Sequence, residues 1–222
     1  MRLVLATRND HKLRELAELM RPYELDPLPE DVRLPPETGT TFADNALGKA
    51  RAAAAATGRP SVGDDSGIEA AALGGAPGVW SARYAGEDAT DEQNLQKLLR
   101  EVPADGDRRL AYVCALAYVE PGGHEEVVHG RCEGRLAREP RGDGGFGYDP
   151  AFVPDDHPGE RTMAELTPEE KAAISHRGRA ARALVARMAA IDEEERPPGL
   201  LRALLGGLGE RRARERVGRR RR

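Results

Sequence analysis

Strand-like and helix-like segments alternate in the first half of this 222-residue chain, and this order limits the folds that it can adopt. Residues 2–6 form a short apolar run typical of a buried strand. A polar connection leads from there into a helix with one apolar side, formed by Leu13, Leu16, Ala17, Leu19 and Met20. An alanine-rich helix is predicted over 41–57, where Gly58 and Pro60 then end it.

A pair of strands is predicted later in the chain. Residues 110–120 and 125–136 flank Pro121-Gly122-Gly123, which is typical of a hairpin turn. An antiparallel pair that follows alternating strands and helices indicates an α/β or α+β class with a mixed sheet.

Two further helices are predicted from their N-terminal signatures. Thr90 with Gln93 resembles a capping box for a helix through Arg100. Thr167 begins a second capping box with proline at the first helical position, and this helix is predicted to run to about Ile191. The folded domain is therefore expected to comprise residues 1–191, because 192–198 is charged and interrupted by proline.

The C-terminal segment differs in charge from the rest of the chain. Residues 197–222 contain nine arginines and two glutamates, a net charge of +7, whereas the whole chain carries −4 and the remainder therefore −11. An acidic body is a poor binder of nucleic acid. We predict a basic, disordered extension over 192–222, with docking or RNA binding through its arginines as the alternative.

The cysteines and the hydropathy indicate a cytoplasmic protein. Cys114 and Cys132 lie in strand-like runs without metal-ligand spacing, which favours buried thiols in a reducing compartment. No apolar run approaches the length of a signal peptide or of a membrane span, so no membrane contact is expected.

The run from Ser61 to Glu69 places two adjacent carboxylates at the end of a short apolar segment. Neighbouring side chains of a strand point to opposite faces, so Asp64 and Asp65 cannot both face one site. One is expected to be catalytic and the other structural. Ser66-Gly67 predicts a tight turn whose N–H groups suit an anion or the water shell of Mg²⁺. The alternative is an Asx-type turn that only closes the strand.

Two more sets of polar residues are candidates for phosphate binding. Thr7, Asn9 and Lys12 lie where the first strand passes into a helix, and free N–H groups at such a helix start favour phosphate. The alternative is a capped helix with an exposed lysine. Asn45 and Lys49 share one helix face and could enter a cleft together, although a lone lysine is ordinarily exposed.

A glycine-rich loop and a late helix carry groups that could bind a base. Residues 144–150 include Phe146 and Tyr148, in a chain with only 4% aromatic residues. They could stack on a nucleobase or pack onto the protein body. Lys171 and the pair His176-Arg177 could read a purine's keto oxygen and ring nitrogen, or could be surface charge.

These motifs together resemble the inosine triphosphate pyrophosphatase family, whose members are also called XTP/dITP diphosphatases. The matching segments are Leu5 to Lys12, Thr41 to Ala50, Asp64 to Glu69, Gly74 to Gly86, Gly145 to Pro150 and Ile174 to Arg177. The resemblance implies an α/β fold with a mixed β-sheet in two lobes, flanking helices and an active-site cleft between the lobes. It also implies a homodimer.

The resemblance implies Mg²⁺-dependent hydrolysis of ITP, dITP and XTP to the monophosphate and pyrophosphate, which clears deaminated purines from the nucleotide pool. Asp65 is implied to be the general base, and Glu37 and Asp65 are implied to hold Mg²⁺. The implied substrate-binding residues are Thr7, Arg8, Asn9, Asp10, His11, Lys12, Lys49, Ser66, Phe146, Gly147, Tyr148, Asp149, Lys171, His176 and Arg177. Donors in the base pocket would favour a 6-keto purine over a 6-amino purine.

Three positions depart from the family pattern, and three other functions are alternatives. Arg8 stands where many members carry a smaller residue, Trp80 where tyrosine is common, and Ala172 where asparagine is frequent. The alternatives are a nucleotide sensor, a nucleic-acid-binding module that uses the arginine tail, and an enzyme for modified pyrimidine triphosphates. A metal-binding Glu37 together with Asp65 argues against the sensor, and the base-pocket matches argue against the pyrimidine enzyme.

Overall fold

The computed structural model describes residues 1–194, apart from the side chains of Asp192 and Glu194. The predictions for the basic extension concern residues that, from 195 onward, lie outside this described part. Met1–Val185 forms one compact unit, and a second unit begins at Ala186 within the last helix. In residues 1–194, no helix combines the length and the apolar character needed to cross a membrane.

A mixed six-stranded sheet lies in the first unit, in the order β2-β1-β3-β4-β5-β6. Strand β1 pairs in parallel with β2 and β3, and the other neighbouring strands pair antiparallel. The strands are β1 Arg2–Ala6, β2 Glu24–Pro27, β3 Ser61–Ala70, β4 Arg109–Val119, β5 Glu125–Leu136 and β6 Phe152–Pro154. The α/β class with a mixed sheet and flanking helices is confirmed.

Four of the five α-helices in the described residues begin close to where the sequence predicts, whereas the start of the fifth, α5, was not predicted. The helices are α1 Asp10–Leu19, α2 Phe42–Thr57, α3 Asp91–Glu101, α4 Pro168–Ile174 and α5 His176–Glu194. Thr90 and Thr167 both form the predicted capping boxes. The predicted continuous helix from Thr167 is instead broken at Ser175, which adopts extended backbone angles (φ −64°, ψ 153°). This break separates Lys171 from His176 and Arg177.

The tight turn predicted at Ser66-Gly67 is wrong. Strand β3 continues to Ala70 and pairs with β4 along its whole length, so that Ser66 lies opposite Cys114 and Gly67 opposite Val113. Ten consecutive ladder positions outweigh the local turn preference of serine and glycine. Strand β2 lies in the proline-rich stretch of residues 22–36, for which the sequence analysis predicts no strand.

Helix α2 packs closely on one face of β3. The buried Ala46 and Ala50 of α2 cluster with Ala115 and Ala117 of β4. A Cβ atom at Gly63 would lie 2.0 Å from the carbonyl oxygen of Ala46, so only glycine permits this approach.

Helix α5 packs on the opposite face of the sheet, and Gly130 of β5 permits its close approach. A Cβ atom at Gly130 would lie 1.9 Å from the carbonyl oxygen of His176. The sheet thus separates Asp65, which faces α2, from Asp64, which faces α5.

Candidate active site

A pocket in the first unit is lined by residues from eight parts of the chain. They come from the start of α1, the segment before α2, the middle of β3, residues 79–82, the start of α3, β4, the glycine-rich loop before β6, and the junction of α4 and α5. The lining residues are Asn9, Lys12, Glu37, Asp65, Ser66, Gly67, Val79, Ser81, Ala82, Asp91, Tyr112, Phe146, Gly147, Tyr148, Asp149, Lys171, His176 and Arg177.

Asp64 is fully buried and surrounded by donors. Lys12 forms an ion pair with one carboxylate oxygen. The thiol of Cys114 donates to the other at 3.2 Å, and Arg177 Nε lies 3.5 Å from that same oxygen. Burial raises the pKa of Asp64, but the charges of Lys12 and Arg177 outweigh it and hold the pKa far below the usual range. Asp64 is therefore a permanent anion that fixes the cations around it.

Asp65 has the opposite electrostatic character. Its two oxygens accept from Asn45 Nδ2 at 3.0 Å and from Lys49 Nζ at 3.1 Å. Burial raises the pKa of Asp65, the charge of Lys49 lowers it, and the net shift is upward, with the nearby Glu37 contributing to the rise. A carboxylate with a raised pKa is a better proton acceptor, as a general base requires.

Glu37 shares the ammonium group of Lys49 with Asp65. Lys49 Nζ lies 2.7 Å from Glu37 Oε1, and Arg83 donates to the main-chain oxygen of Glu37 at 3.0 Å. Burial raises the pKa of Glu37, but Lys49, Lys12 and Arg83 together lower it below its ordinary value. Two carboxylates thus converge on one cation, and of the two directions left open for Lys49 the structure shows the buried one.

The glycine-rich loop is anchored through Asp149. Its carboxylate accepts from Phe146 N at 2.9 Å, from the Tyr112 hydroxyl at 3.0 Å and from Lys171 Nζ at 2.8 Å. The Tyr148 hydroxyl donates to the carbonyl oxygen of Ser81 at 2.7 Å. Tyr148 is therefore buried as an anchor of the loop.

Two pairs of stacked rings lie at the site. The Phe146 ring is half-buried and stacks on the His11 ring, with 5.2 Å between centroids. The buried His176 ring stacks on Tyr112 at 4.5 Å, nearly parallel. Burial and the charge of Arg177 lower the pKa of His176 well below its ordinary value, so this imidazole is neutral at physiological pH.

Within the described residues, His176 Nδ1 has no hydrogen-bond partner. A buried polar atom without a partner beside a pocket is available to a ligand.

Glu15 joins Lys171 and Arg177 to α1, and the sequence analysis did not identify it. One oxygen accepts from Lys171 Nζ at 2.7 Å and the other from Arg177 at 2.6 Å. A signal was present, because Glu15 follows Lys12 by three residues and so shares its helix face. Lys12 lines the pocket, whereas Glu15 lies on the same helix face and holds two other lining residues, Lys171 and Arg177.

The sequence model of the Ham1 family matches residues 3–187. The chain belongs to the Ham1 family. Relatives of this Ham1 protein are named dITP/XTP pyrophosphatases, which confirms the resemblance inferred from the motifs. A dITP/XTP pyrophosphatase of Shigella flexneri is 50% identical over 196 residues, which cover 83% of this chain and 96% of the relative. One of Mycolicibacterium paratuberculosis is 53% identical over 193 residues, which cover 82% and 93%.

Solved structures also resemble this Ham1 protein. A HAM1 protein from Coxiella burnetii matches with a TM-score of 0.76 and 45% identity, covering 86% of this chain and 99% of that one. A structure from Mycobacterium abscessus, described as a nucleoside-triphosphatase and dITP/XTP pyrophosphatase, matches with a TM-score of 0.66 and 47% identity, covering 83% and 97%.

Most of the predicted site residues of this Ham1 protein line the pocket, and five do not. Lys49 lies behind Glu37 and Asp65. Thr7 accepts from Asn9 N, and His11 touches Phe146. Asp10 lies in the exposed first turn of α1, and the guanidinium of Arg8 binds main-chain oxygens of residues 28–32. The substrate contacts expected of these five stay predictions.

Proposed function

We propose that this protein hydrolyses the noncanonical purine triphosphates ITP, dITP and XTP to the monophosphate and pyrophosphate. One observation carries the proposal: a single pocket joins two carboxylates and a lysine at one end to an aromatic ring and fixed donors at the other. The first group suits a triphosphate and the second suits a purine. The names of the relatives, dITP/XTP pyrophosphatases, support the same reaction and substrates.

The triphosphate would lie against the N-terminal turn of α1 and the middle of β3. Lys12 and Lys49 supply positive charge there, and Asn9 and Ser66 supply polar groups. Asn9 caps α1 by accepting from His11 N and Lys12 N, which places its side chain at the positive end of the helix dipole. Removal of the lysine charges would therefore weaken substrate binding.

Glu37 and Asp65 would hold Mg²⁺. Their carboxylate oxygens are the hard ligands that Mg²⁺ prefers, and they already share one cation, Lys49. In residues 1–194 no group of three or more possible ligand side chains occurs, which fits a metal that takes its other ligands from phosphate and water. When bound, Mg²⁺ would neutralise charge on the phosphates.

Asp65 would act as the general base for the attacking water. Its raised pKa favours acceptance of a proton, and Asn45 fixes one carboxylate oxygen. Water would attack between the α and β phosphates, as the family resemblance implies. Lys49 would keep the protonated and ionised forms of Asp65 close to one position, because its ammonium is also held by Glu37.

Selection of the base would depend on donors at the other end of the pocket. Asp149 and Glu15 raise the pKa of Lys171 against the effect of burial, so Lys171 stays a cation and a donor. Lys171 and Arg177 can donate to a 6-keto oxygen. A 6-amino group is itself a donor, so it would leave their N–H groups without an acceptor. The half-buried Phe146 ring offers a face for stacking.

The test is pyrophosphate release from dITP, XTP, dATP and dGTP with and without Mg²⁺, with Asp65→Asn as the matched variant. We expect strong Mg²⁺-dependent release from dITP and XTP that the variant loses. Equal hydrolysis of all four would refute the base selection. Tight dITP binding without hydrolysis would instead favour a nucleotide sensor.

Two further expectations have different grounds: the homodimer rests on the resemblance, and nucleic-acid binding rests on the charge of the basic extension. The homodimer is checked by light scattering on the purified protein. Nucleic-acid binding through the basic extension is checked by deleting residues 197–222, which should leave hydrolysis intact.

A further inference from the structure

Arg8 binds a cluster of main-chain oxygens outside the pocket. Its Nη1 donates to Leu28 O at 2.7 Å, and its Nη2 to Pro29 O at 2.6 Å and Val32 O at 2.7 Å. A fourth, longer contact reaches Glu30 O at 3.3 Å. Because a planar guanidinium presents several fixed donors at once, one side chain sets the shape of this loop.

The loop that Arg8 holds leads directly to Glu37. Leu28 and Val32 are buried in a cluster with Val4 and Ala6 of β1, which gives the loop an apolar anchor. Residues 33–37 then belong to no helix or strand. Pro35 and Pro36 restrict this stretch to a few backbone conformations, so a shift at Val32 is passed on to Glu37.

Glu37 is held on its other side by Arg83. Arg83 donates to the main-chain oxygen of Glu37 at 3.0 Å and lies 3.4 Å from its carboxylate. The guanidinium of Arg83 also lies over the Trp80 ring, 4.4 Å from its centroid, although Trp80 is 55% exposed. Arg83 thus binds Glu37 directly, whereas Arg8 binds the loop that leads to Glu37.

We propose that Arg8 is a positioning residue for Glu37, an inference that rests on the proposed function. Arg8 is the neighbour of Asn9, which starts the helix that carries Lys12. Its side chain therefore ties the loop at the phosphate end of the pocket to the segment that carries a metal-binding carboxylate. The spacing between Lys12 and Glu37 depends on this tie.

Arg8→Ala tests the proposal, with Arg59→Ala as the matched control. Arg59 pairs with Asp26 at 2.5 Å and so braces β2, the strand just before the loop, without contacting residues 28–37. For Arg8→Ala we expect the Mg²⁺ concentration at half-maximal dITP hydrolysis to rise about tenfold, the lower end of what loss of a group that orients a metal ligand costs in metal affinity. Arg8→Lys should recover only part of this loss, because an ammonium cannot span the same oxygens. Arg59→Ala should keep the wild-type Mg²⁺ dependence.

A double-mutant cycle with Glu37→Gln separates positioning from general destabilisation. If Arg8 acts through Glu37, then adding Arg8→Ala to Glu37→Gln causes little further loss. The proposal would be overturned if the loss of activity in the double variant equalled the product of the losses in the two single variants. An equal Mg²⁺ shift in Arg59→Ala would also overturn it.

Hydrogen exchange of the amides of residues 30–38 gives a readout without turnover. Exchange should quicken in Arg8→Ala and not in Arg59→Ala. Unchanged exchange in Arg8→Ala would show that Arg8 does not hold the loop, and would overturn the proposal. Faster exchange in a protein that hydrolyses none of the four nucleotides would support the hold of Arg8 on the loop and refute only the proposed function.

Discussion

Replacement of Gly130 by alanine should move the residues that we propose to bind the base, without altering any of them. The new Cβ atom would lie 1.9 Å from the carbonyl oxygen of His176 and 2.6 Å from the nitrogen of Ala180, whereas ordinary contacts begin near 3.4 Å. Both neighbours are backbone atoms of α5, so no flexible side chain can yield. The helix start would have to retreat by roughly 1.5 Å to restore normal contact.

The expected cost has two parts. Overpacking of this kind destabilises by about 1–3 kcal/mol, measured as the free energy of unfolding in urea. A displacement of about 1 Å in a positioned group can cost about 10²-fold in rate, so kcat/KM for dITP should fall by roughly that factor. The ratio of kcat/KM for dITP over dATP should fall as well, since His176 and Arg177 begin the displaced helix.

Gly122→Ala is the matched control. Gly122 lies in the exposed turn between β4 and β5, and no atom lies within 4 Å of its added Cβ. It should leave stability and kcat/KM close to the wild-type values. If Gly130→Ala unfolds at the wild-type urea concentration and hydrolyses dITP with unchanged selectivity, the close approach of β5 and α5 does not position the proposed base-binding residues.

Three further changes test single contacts. Burial raises the pKa of Glu15, but Arg177 and Lys171 lower it below its ordinary value of 4.5, so its stabilisation is complete above that pH and is lost as the pH falls through the lowered pKa. Glu15→Gln should therefore reduce the free energy of unfolding by about 1–3 kcal/mol at neutral pH, and urea titrations that show the same difference in strong acid would contradict this. Thr167→Ala should cost about 1 kcal/mol in urea unfolding by removing the α4 cap, whereas Thr167→Ser should cost far less. Tyr112→Phe removes the hydroxyl that donates to Asp149, and a KM for dITP unchanged from wild type would refute its part in fixing the loop.

Much of the local structure was predictable, because it depends on neighbours in the sequence. Capping boxes at Thr90 and Thr167 involve residues three positions apart, and the glycine at 58 ends α2 in the left-handed conformation. Alternation along β3 correctly separated Asp64 from Asp65. The family motifs likewise lie in short, contiguous segments, so the membership in the Ham1 family could be read from the chain.

The tertiary structure decided which partners these residues have. Ser66-Gly67 has the composition of a turn, yet it lies within β3 because the ladder with β4 supplies hydrogen bonds that a local turn cannot match. The contacts of Glu15 with Lys171 and Arg177 span more than 150 positions. The opposite pKa shifts of Asp64 and Asp65 also arise through space. Lys12 and Arg177 outweigh the effect of burial on Asp64, whereas burial, with a contribution from Glu37, outweighs the cations near Asp65. Sequence patterns report the period of a helix or strand, whereas electrostatics depends on distances through space, and only folding sets those distances.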